Sequence, residues 1–156
     1  MIREAKHSDY KEMDAVFRAS AKQLCVRDYD TDKIAIWAGK SWPERFIRSA
    51  NDGCKHYVKI LEEKIICFGS LNYDKDLLEA LFVDPAYAGQ GVGVEMLNFL
   101  FEQAQKVGIK ELHVDSSLNA VNFYARHDFV EQSKADFTTQ SGVVLDSVKM
   151  VCKLGL

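Results

Sequence analysis

No apolar run in the chain approaches the ~20 residues that a membrane-spanning helix needs, so no such helix is expected. The opening residues, Met1-Ile2-Arg3-Glu4-Ala5-Lys6, lack the apolar core of a signal peptide, and the expected compartment is the cytoplasm. Four cysteines are present, Cys25, Cys54, Cys67 and Cys152, with no Cys-x-x-Cys pair and no metal-ligand spacing among them. Reduced structural thiols are expected, and no bound metal. Basic residues are not in excess: the net charge is −3, which argues against a nucleic-acid partner, because phosphate backbones call for clustered Lys and Arg. Repeats, low-complexity tracts and linkers are also missing. With 156 residues, 47% of them hydrophobic and 28% charged, the chain reads as one domain over 1–156 with enough material for a buried core. Monomer and homodimer are not distinguished.

What is present has a clear order. Ile2–Ala5 reads as a short strand. Ser8 or Asp9 can cap a helix with Met13, Val16, Phe17, Ser20 and Leu24 on one face. Thr31 can cap a second helix through Ala38. Ser41-Trp42-Pro43-Glu44 opens a third, with Phe46, Ile47 and Ala50 as its inner face. After Gly53 the pattern turns to strands, over Lys55–Leu61, Ile65–Tyr73 and Leu78–Val83, joined by short turns as an antiparallel meander. A helix over Val92–Val107 leads to a strand at Leu112–Asp115, which should lie parallel to Leu78–Val83. A short helix and two β-like runs, Phe129–Phe137 and Val143–Lys153, finish the chain. The fold class is α+β with a mixed sheet.

The most informative stretch joins Leu81-Phe82-Val83, stopped by Asp84-Pro85, to the helix that begins near Val92. Between them stand Gly89, Gly91 and Gly93. A glycine loop between strand and helix leaves main-chain N–H groups uncovered at the positive helix end, which suits a phosphate or diphosphate. A Walker loop would need Gly-Lys-Ser/Thr where Gly91-Val92-Gly93-Val94 stands. A dinucleotide fingerprint counted from Gly89 would need glycine at Val94. Both fail by residue type.

The segment Val83-Asp84-Pro85-Ala86-Tyr87-Ala88-Gly89-Gln90-Gly91-Val92-Gly93 resembles the pyrophosphate loop of the GNAT superfamily of N-acetyltransferases, Arg/Gln-x-x-Gly-x-Gly/Ala. Ala88 stands where that family has Arg or Gln. A second segment, Asn119-Ala120-Val121-Asn122-Phe123-Tyr124-Ala125-Arg126-His127-Asp128-Phe129, resembles the family's segment Asn-x-x-x-x-Phe-Tyr-x-x-x-Gly-Phe, with one residue fewer between Asn119 and Phe123 and with Asp128 in the glycine position. Asn119 would cap its helix, and Asp128 would take a left-handed turn or leave the helix end loose. The two segments lie in the family's order, and the resemblance covers about residues 55 to 155.

The resemblance implies a mostly antiparallel, twisted sheet with flanking helices and a splayed central parallel strand pair. It implies acetyl transfer from acetyl-CoA, as co-substrate, to an amine of a small molecule, peptide or protein by direct attack in a ternary complex. No nucleic-acid or membrane partner is expected, on the net charge and the lack of a long apolar run. The alternative is a catalytically silent acyl-CoA-binding sensor module, which Ala88 and Asp128 keep open. By the resemblance, the cofactor residues are Leu81, Phe82, Val83, Ala88, Gly89, Gln90, Gly91, Val92, Gly93, Val94, Asn119 and Phe123. An amide near Phe82 or Val83 would meet charge developing on the transferred carbonyl. Tyr124 is the candidate acid and Glu79 the candidate base, on the face of Leu81 and Val83 unless a bulge shifts the register. Asp115, His113 or water are the reserve bases. For the acceptor, Tyr29, Trp37 and Asp115 are the candidates, with Asp30, Asp32 and Trp42 in the same region: aromatic walls with carboxylates suit a cationic amine. Trp37 and Trp42 can equally pack the helices onto the sheet.

Overall fold

The change of pattern at Gly53 divides helices from sheet. In the computed structural model, which describes residues 1–155, strand β1 (Ile2–Glu4) is followed by helices α1 (Tyr10–Leu24), α2 (Thr31–Ala38) and α3 (Arg45–Asn51). Then come β2 (Cys54–Leu61), β3 (Lys64–Asn72), β4 (Leu77–Val83), α4 (Val92–Lys106), β5 (Glu111–Ser117), α5 (Val121–Ala125), β6 (Val130–Thr138) and β7 (Val144–Lys153). The strands form one sheet in the order β1-β2-β3-β4-β5-β7-β6. Neighbours are antiparallel except β4 and β5, which are parallel. This is the mixed sheet with flanking helices expected from the sequence.

Two apolar cores sandwich the sheet. On one face, Met13 and Phe17 of α1, Trp37 of α2 and Phe46 of α3 close over Val58, Ile65 and Phe68. On the other, Met96, Leu97, Leu100 and Ala104 of α4 close over Ile66, Leu71, Leu78 and Leu112. The central strand β3 is accordingly buried at every position from Ile65 to Asn72, as a doubly covered strand must be. An aromatic ladder ties the helical layer to β4: ring centroids lie 5.2 Å apart for Phe46 and Phe68, 5.6 Å for Phe68 and Phe82, and 5.0 Å for Phe82 and Phe17. Each such pair adds roughly 0.5–1.5 kcal/mol beyond the area it buries.

Several local expectations are corrected. Leu24 and Ile47, expected on inner helix faces, are exposed, at 38% and 37%. Neither Asp9 nor Thr31 caps a helix with its side chain; the Asp9 carboxylate instead accepts from the Lys6 N–H at 2.7 Å and pairs with Arg3. The helix expected from Asn119 is shorter, a single 3-10 turn at Leu118–Ala120 followed by α5. After α5 the N–H groups of His127 and Phe129 both bond the Tyr124 carbonyl, at 2.9 and 3.1 Å, and Asp128 adopts a φ of 72°. Asp128 thus supplies the left-handed turn itself. Asp128→Gly should raise stability by about 1 kcal/mol, since that is roughly what a side chain costs in this conformation, and the change is read by chemical denaturation.

All four cysteines are unpaired and buried. Burial pushes the Cys25 and Cys67 thiols up to about 12, and moves Cys54 and Cys152 in the same direction. Among the described residues no helix is long and apolar enough to cross a membrane.

Candidate active site

Strand β4 carries one residue too many for its partner. Its register with β3 steps from Ser70↔Ala80 to Leu71↔Leu78, which leaves Glu79 unpaired in a bulge. Simple alternation would set Glu79 beside Leu81 and Val83. The bulge overturns that placement. Leu78, Leu81 and Val83 pack toward α4, whereas Ala80 and Phe82 pack toward α1 to α3. Glu79 joins the second group: its carboxylate accepts from the Cys54 thiol and lines a cavity with Phe46, His56 and Phe82.

The main chain of β4 follows the same phase. The Asp84 N–H donates to the Ile66 carbonyl at 2.8 Å. In an antiparallel ladder alternate residues bond the same neighbour, so Ala80 and Phe82 turn their amides to β3 while Leu81 and Val83 turn theirs toward β5. The Phe82 amide is therefore not free to serve as an oxyanion donor. Beyond the pairs Leu77↔His113 and Leu78↔Val114, β4 and β5 part. The amides of Leu81 and Val83 face the opening.

At the end of β4 the Asp84 side chain accepts from the Ala86 N–H at 3.0 Å and starts a 3-10 turn. The Ala88 N–H closes on the Pro85 carbonyl at 3.2 Å, so Ala88 drops out of the expected donors. Gly89 and Gly91 then take φ values of 75° and 83°, a conformation that disfavours side chains. Gly91 caps α4 with no side chain bonded across the helix start. Among the described residues, no protein acceptor engages the N–H groups from Gly89 to Val94. A Cβ placed on Gly89 or Gly91 would meet nothing within 4 Å, and one on Gly93 would meet Phe123 at 3.5 Å and Val83 at 3.6 Å. The row of amides is open on its outer side and backed by Phe123 and Val83.

Between the parted strands and the helical layer lies a cavity of about 330 Å³. It gathers Trp37, Glu79, Leu81, Phe82, Asp115 and Tyr124. Trp37 is both wall and core, packed on Phe17 at 5.3 Å and 7% exposed. Tyr124 is buried against Phe123 and Phe129. Burial, with the neighbouring Cys67 thiol, drives its phenol upward, and no hydrogen bond holds its hydroxyl among the described residues.

Tyr29, Asn119, Asp30, Asp32 and His113, all expected at the site, are not walls of this cavity. The Tyr29 hydroxyl donates to the Asp146 carbonyl at 2.6 Å and accepts from the Leu118 N–H at 2.9 Å, and burial pushes the phenol up to about 12. It stitches the α1–α2 connection to the ends of β5 and β7. Asn119 caps nothing, because Ala120 holds the position before α5; its side-chain oxygen accepts from the Cys25 thiol at 3.4 Å. Asp30 and Asp32 are exposed outside the cavity, while His113 lies on the strand face of Asp115 without reaching the lining.

Conversely, Arg45, Ser49, His56, Ser116 and Gln140 line the cavity and were not anticipated. His56 had a readable signal: it alternates with Cys54 and Val58 on the inner face of β2. Its Nε2 donates to the Phe46 carbonyl at 3.0 Å and its Nδ1 accepts from the Ser70 hydroxyl at 2.6 Å, since a carbonyl can only accept. Burial lowers its pKa, opposed by the Phe46 carbonyl and the Glu79 charge. A depressed value means the unfolded chain binds the proton more readily, so stability is full above the unfolded value of about 6.5 and falls as pH drops below it. The unfolding free energy from chemical denaturation should therefore decline between pH 7.5 and 5.5 with a slope up to about 1.4 kcal/mol per pH unit, and His56→Asn should flatten that decline.

Comparison with known proteins agrees with this geometry. The chain superimposes on a GCN5-related N-acetyltransferase of Rhodopseudomonas palustris, described as "Aminotransferase, Class-II", with 27% identity, a TM-score of 0.89, and 99% of this chain and 95% of that one covered. The PaiA N-acetyltransferase of Thermoplasma acidophilum, solved in complex with coenzyme A, shares the fold at 21% identity and a TM-score of 0.79, over 98% of each chain. So does the ribosomal-protein-S18-alanine N-acetyltransferase of Escherichia coli, at 16% identity and a TM-score of 0.74, over 100% of this chain and 94% of that one. No curated protein matches the sequence. The acetyltransferase (GNAT) domain family matches residues 25–154, nearly the whole sheet and both segments that carry the glycine loop and Tyr124, and the chain belongs to that family.

Proposed function

We propose that the protein is an acetyl-CoA-dependent N-acetyltransferase that moves the acetyl group to an amine by direct attack in a ternary complex. One observation carries this reading: the unbonded amides of Gly89 to Val94 stand at the mouth of the gap between β4 and β5. Donors in a row at a helix start suit a diphosphate, and the free edge of β4 at Leu81 and Val83 suits the amides of a pantetheine arm. Acetyl-CoA supplies the activated carbonyl. The Val83 or Leu81 amide would stabilise negative charge developing on that oxygen. Phe123 would pack along the arm, and Asn119 would have to give up its Cys25 contact to reach it. The rest belongs to the cavity. Glu79, directly or through water, would take a proton from an amine whose pKa is about 10.4 in a lysine-like acceptor, and Tyr124 would give one to the departing thiolate. Trp37 and Asp115 would form the acceptor wall. Reduced buried thiols fit residence in the cytoplasm, which is part of the proposal.

Thiol release over a panel of amines tests the assignment. Turnover with at least one amine is expected; tight acetyl-CoA binding with none would favour the silent sensor. Glu79→Gln should lower kcat by about 10²-fold at neutral pH and flatten the limb of the pH profile that reports amine deprotonation. An untouched profile would pass the role to Asp115, His113 or water.

A further inference from the structure

The proposed chemistry leaves one cation of the cavity without a task. Arg45, at the start of α3, points its Nε–H back to the Asp14 carboxylate at 2.8 Å and to the Trp42 carbonyl at 3.1 Å. Asp14 is 1% exposed and also accepts from the Trp42 N–H at 3.1 Å. The guanidinium carbon sits 4.5 Å from the centre of the Phe17 ring and 5.3 Å from that of Trp42. Phe17 in turn touches Phe82, which puts the guanidinium two ring contacts from β4.

A buried anion and two aromatic faces fix the direction of this side chain, which is only 12% exposed. A guanidinium has five N–H donors. The Nε–H is occupied, while those on the two Nη atoms have no protein acceptor among the described residues. Donors that open on a cavity wall with no protein partner are free to meet an acceptor that enters there. The same cavity holds Glu79 and Asp115, so it presents charges of both signs. Among the described residues, Arg45 is the one Lys or Arg in the lining. That suits a single negative charge better than a phosphate dianion, and a planar fork matches a carboxylate in two parallel bonds.

We infer that the acceptor is a small amine that also carries a carboxylate, its ammonium end drawn to Glu79 and Asp115 and its carboxylate held by the Nη atoms of Arg45. This rests on the acetyltransferase reading of the site and names its substrate class.

The test compares aliphatic amines that end in a carboxylate with the same amines ending in a primary amide, by acetyl-CoA-dependent thiol release. Wild type should favour the carboxylate by at least about tenfold in kcat/KM, mainly through KM. Arg45→Lys keeps a charge against Asp14 but loses the fork, and the preference should fall to near unity. Should that variant not fold, simple carboxylates should inhibit the wild type competitively against the amine at least tenfold better than their amides. No preference in wild type, a preference that survives in Arg45→Lys, or equal inhibition by carboxylate and amide each overturns the inference. Turnover of amide-tailed amines without preference would sink this inference alone. Acetyl-CoA binding with no thiol release from any amine would sink the transferase reading beneath it.

Discussion

Tyr124→Phe is expected to lower kcat by about 10²- to 10³-fold while acetyl-CoA affinity stays within about twofold and the melting temperature does not fall. The last two parts follow from the surroundings. A tyrosine kept for structure ordinarily has its buried hydroxyl bonded, and removing it would leave a partner unsatisfied. Among the described residues the Tyr124 hydroxyl has no partner, while the ring packs against Phe123 and Phe129 in contacts that phenylalanine can make equally well. Burial holds the phenol protonated throughout the physiological range, so the proton is present whenever a thiolate needs it. Stopped-flow or steady-state thiol release, together with calorimetric titration of acetyl-CoA, separates rate from affinity. An unchanged kcat would remove Tyr124 from the chemistry and leave it a core aromatic.

Gly91→Glu should weaken acetyl-CoA binding by roughly 30- to 300-fold. A carboxylate about 4 Å from one phosphate charge costs roughly 1 kcal/mol at the dielectric of water and about 4 at that of a protein surface, and the loop faces both settings. The fold should tolerate the side chain sterically, because a Cβ at Gly91 meets nothing within 4 Å. The φ of 83° adds strain, but strain shared by free and bound protein lowers stability and leaves affinity alone. Gly91→Ala isolates it: a lower melting temperature with affinity close to wild type. Raising the salt concentration should recover part of the loss in Gly91→Glu by screening. Affinity that survives the glutamate would show that the diphosphate does not lie on this loop.

The sequence carried the architecture because it is written in local signals. Asp84-Pro85 stops β4, the glycines free the amides that follow, and the three-and-four spacing from Met96 to Ala104 sets the buried face of α4. Asp128 occupies a glycine position, and the loop needed only the left-handed conformation that an aspartate tolerates. The acid-base and acceptor groups were harder to read, for reasons of register and distance. A one-residue bulge is invisible to period-2 counting, yet it carries Glu79 across the sheet. Arg45 owes its orientation to Asp14, 31 residues away, and nothing near either residue announces the pair. Tyr29 looked like a pocket aromatic by composition alone; its two hydrogen bonds, to β7 and to the end of β5, are long-range facts of tertiary structure.

The unpaired cysteines have a practical corollary. Only thiolates react quickly with disulfides, maleimides or peroxide, and four sulfhydryls shut away from solvent and held in the protonated state offer almost none. In the proposed reaction, with native protein, acetyl-CoA and an amine, the liberated coenzyme would be the reactive thiol in solution, so a colorimetric sulfur reagent would count turnovers rather than protein. The same reagent would begin to consume the chain's own sulfur only as the sheet comes apart, which makes cysteine labelling a clock for global unfolding.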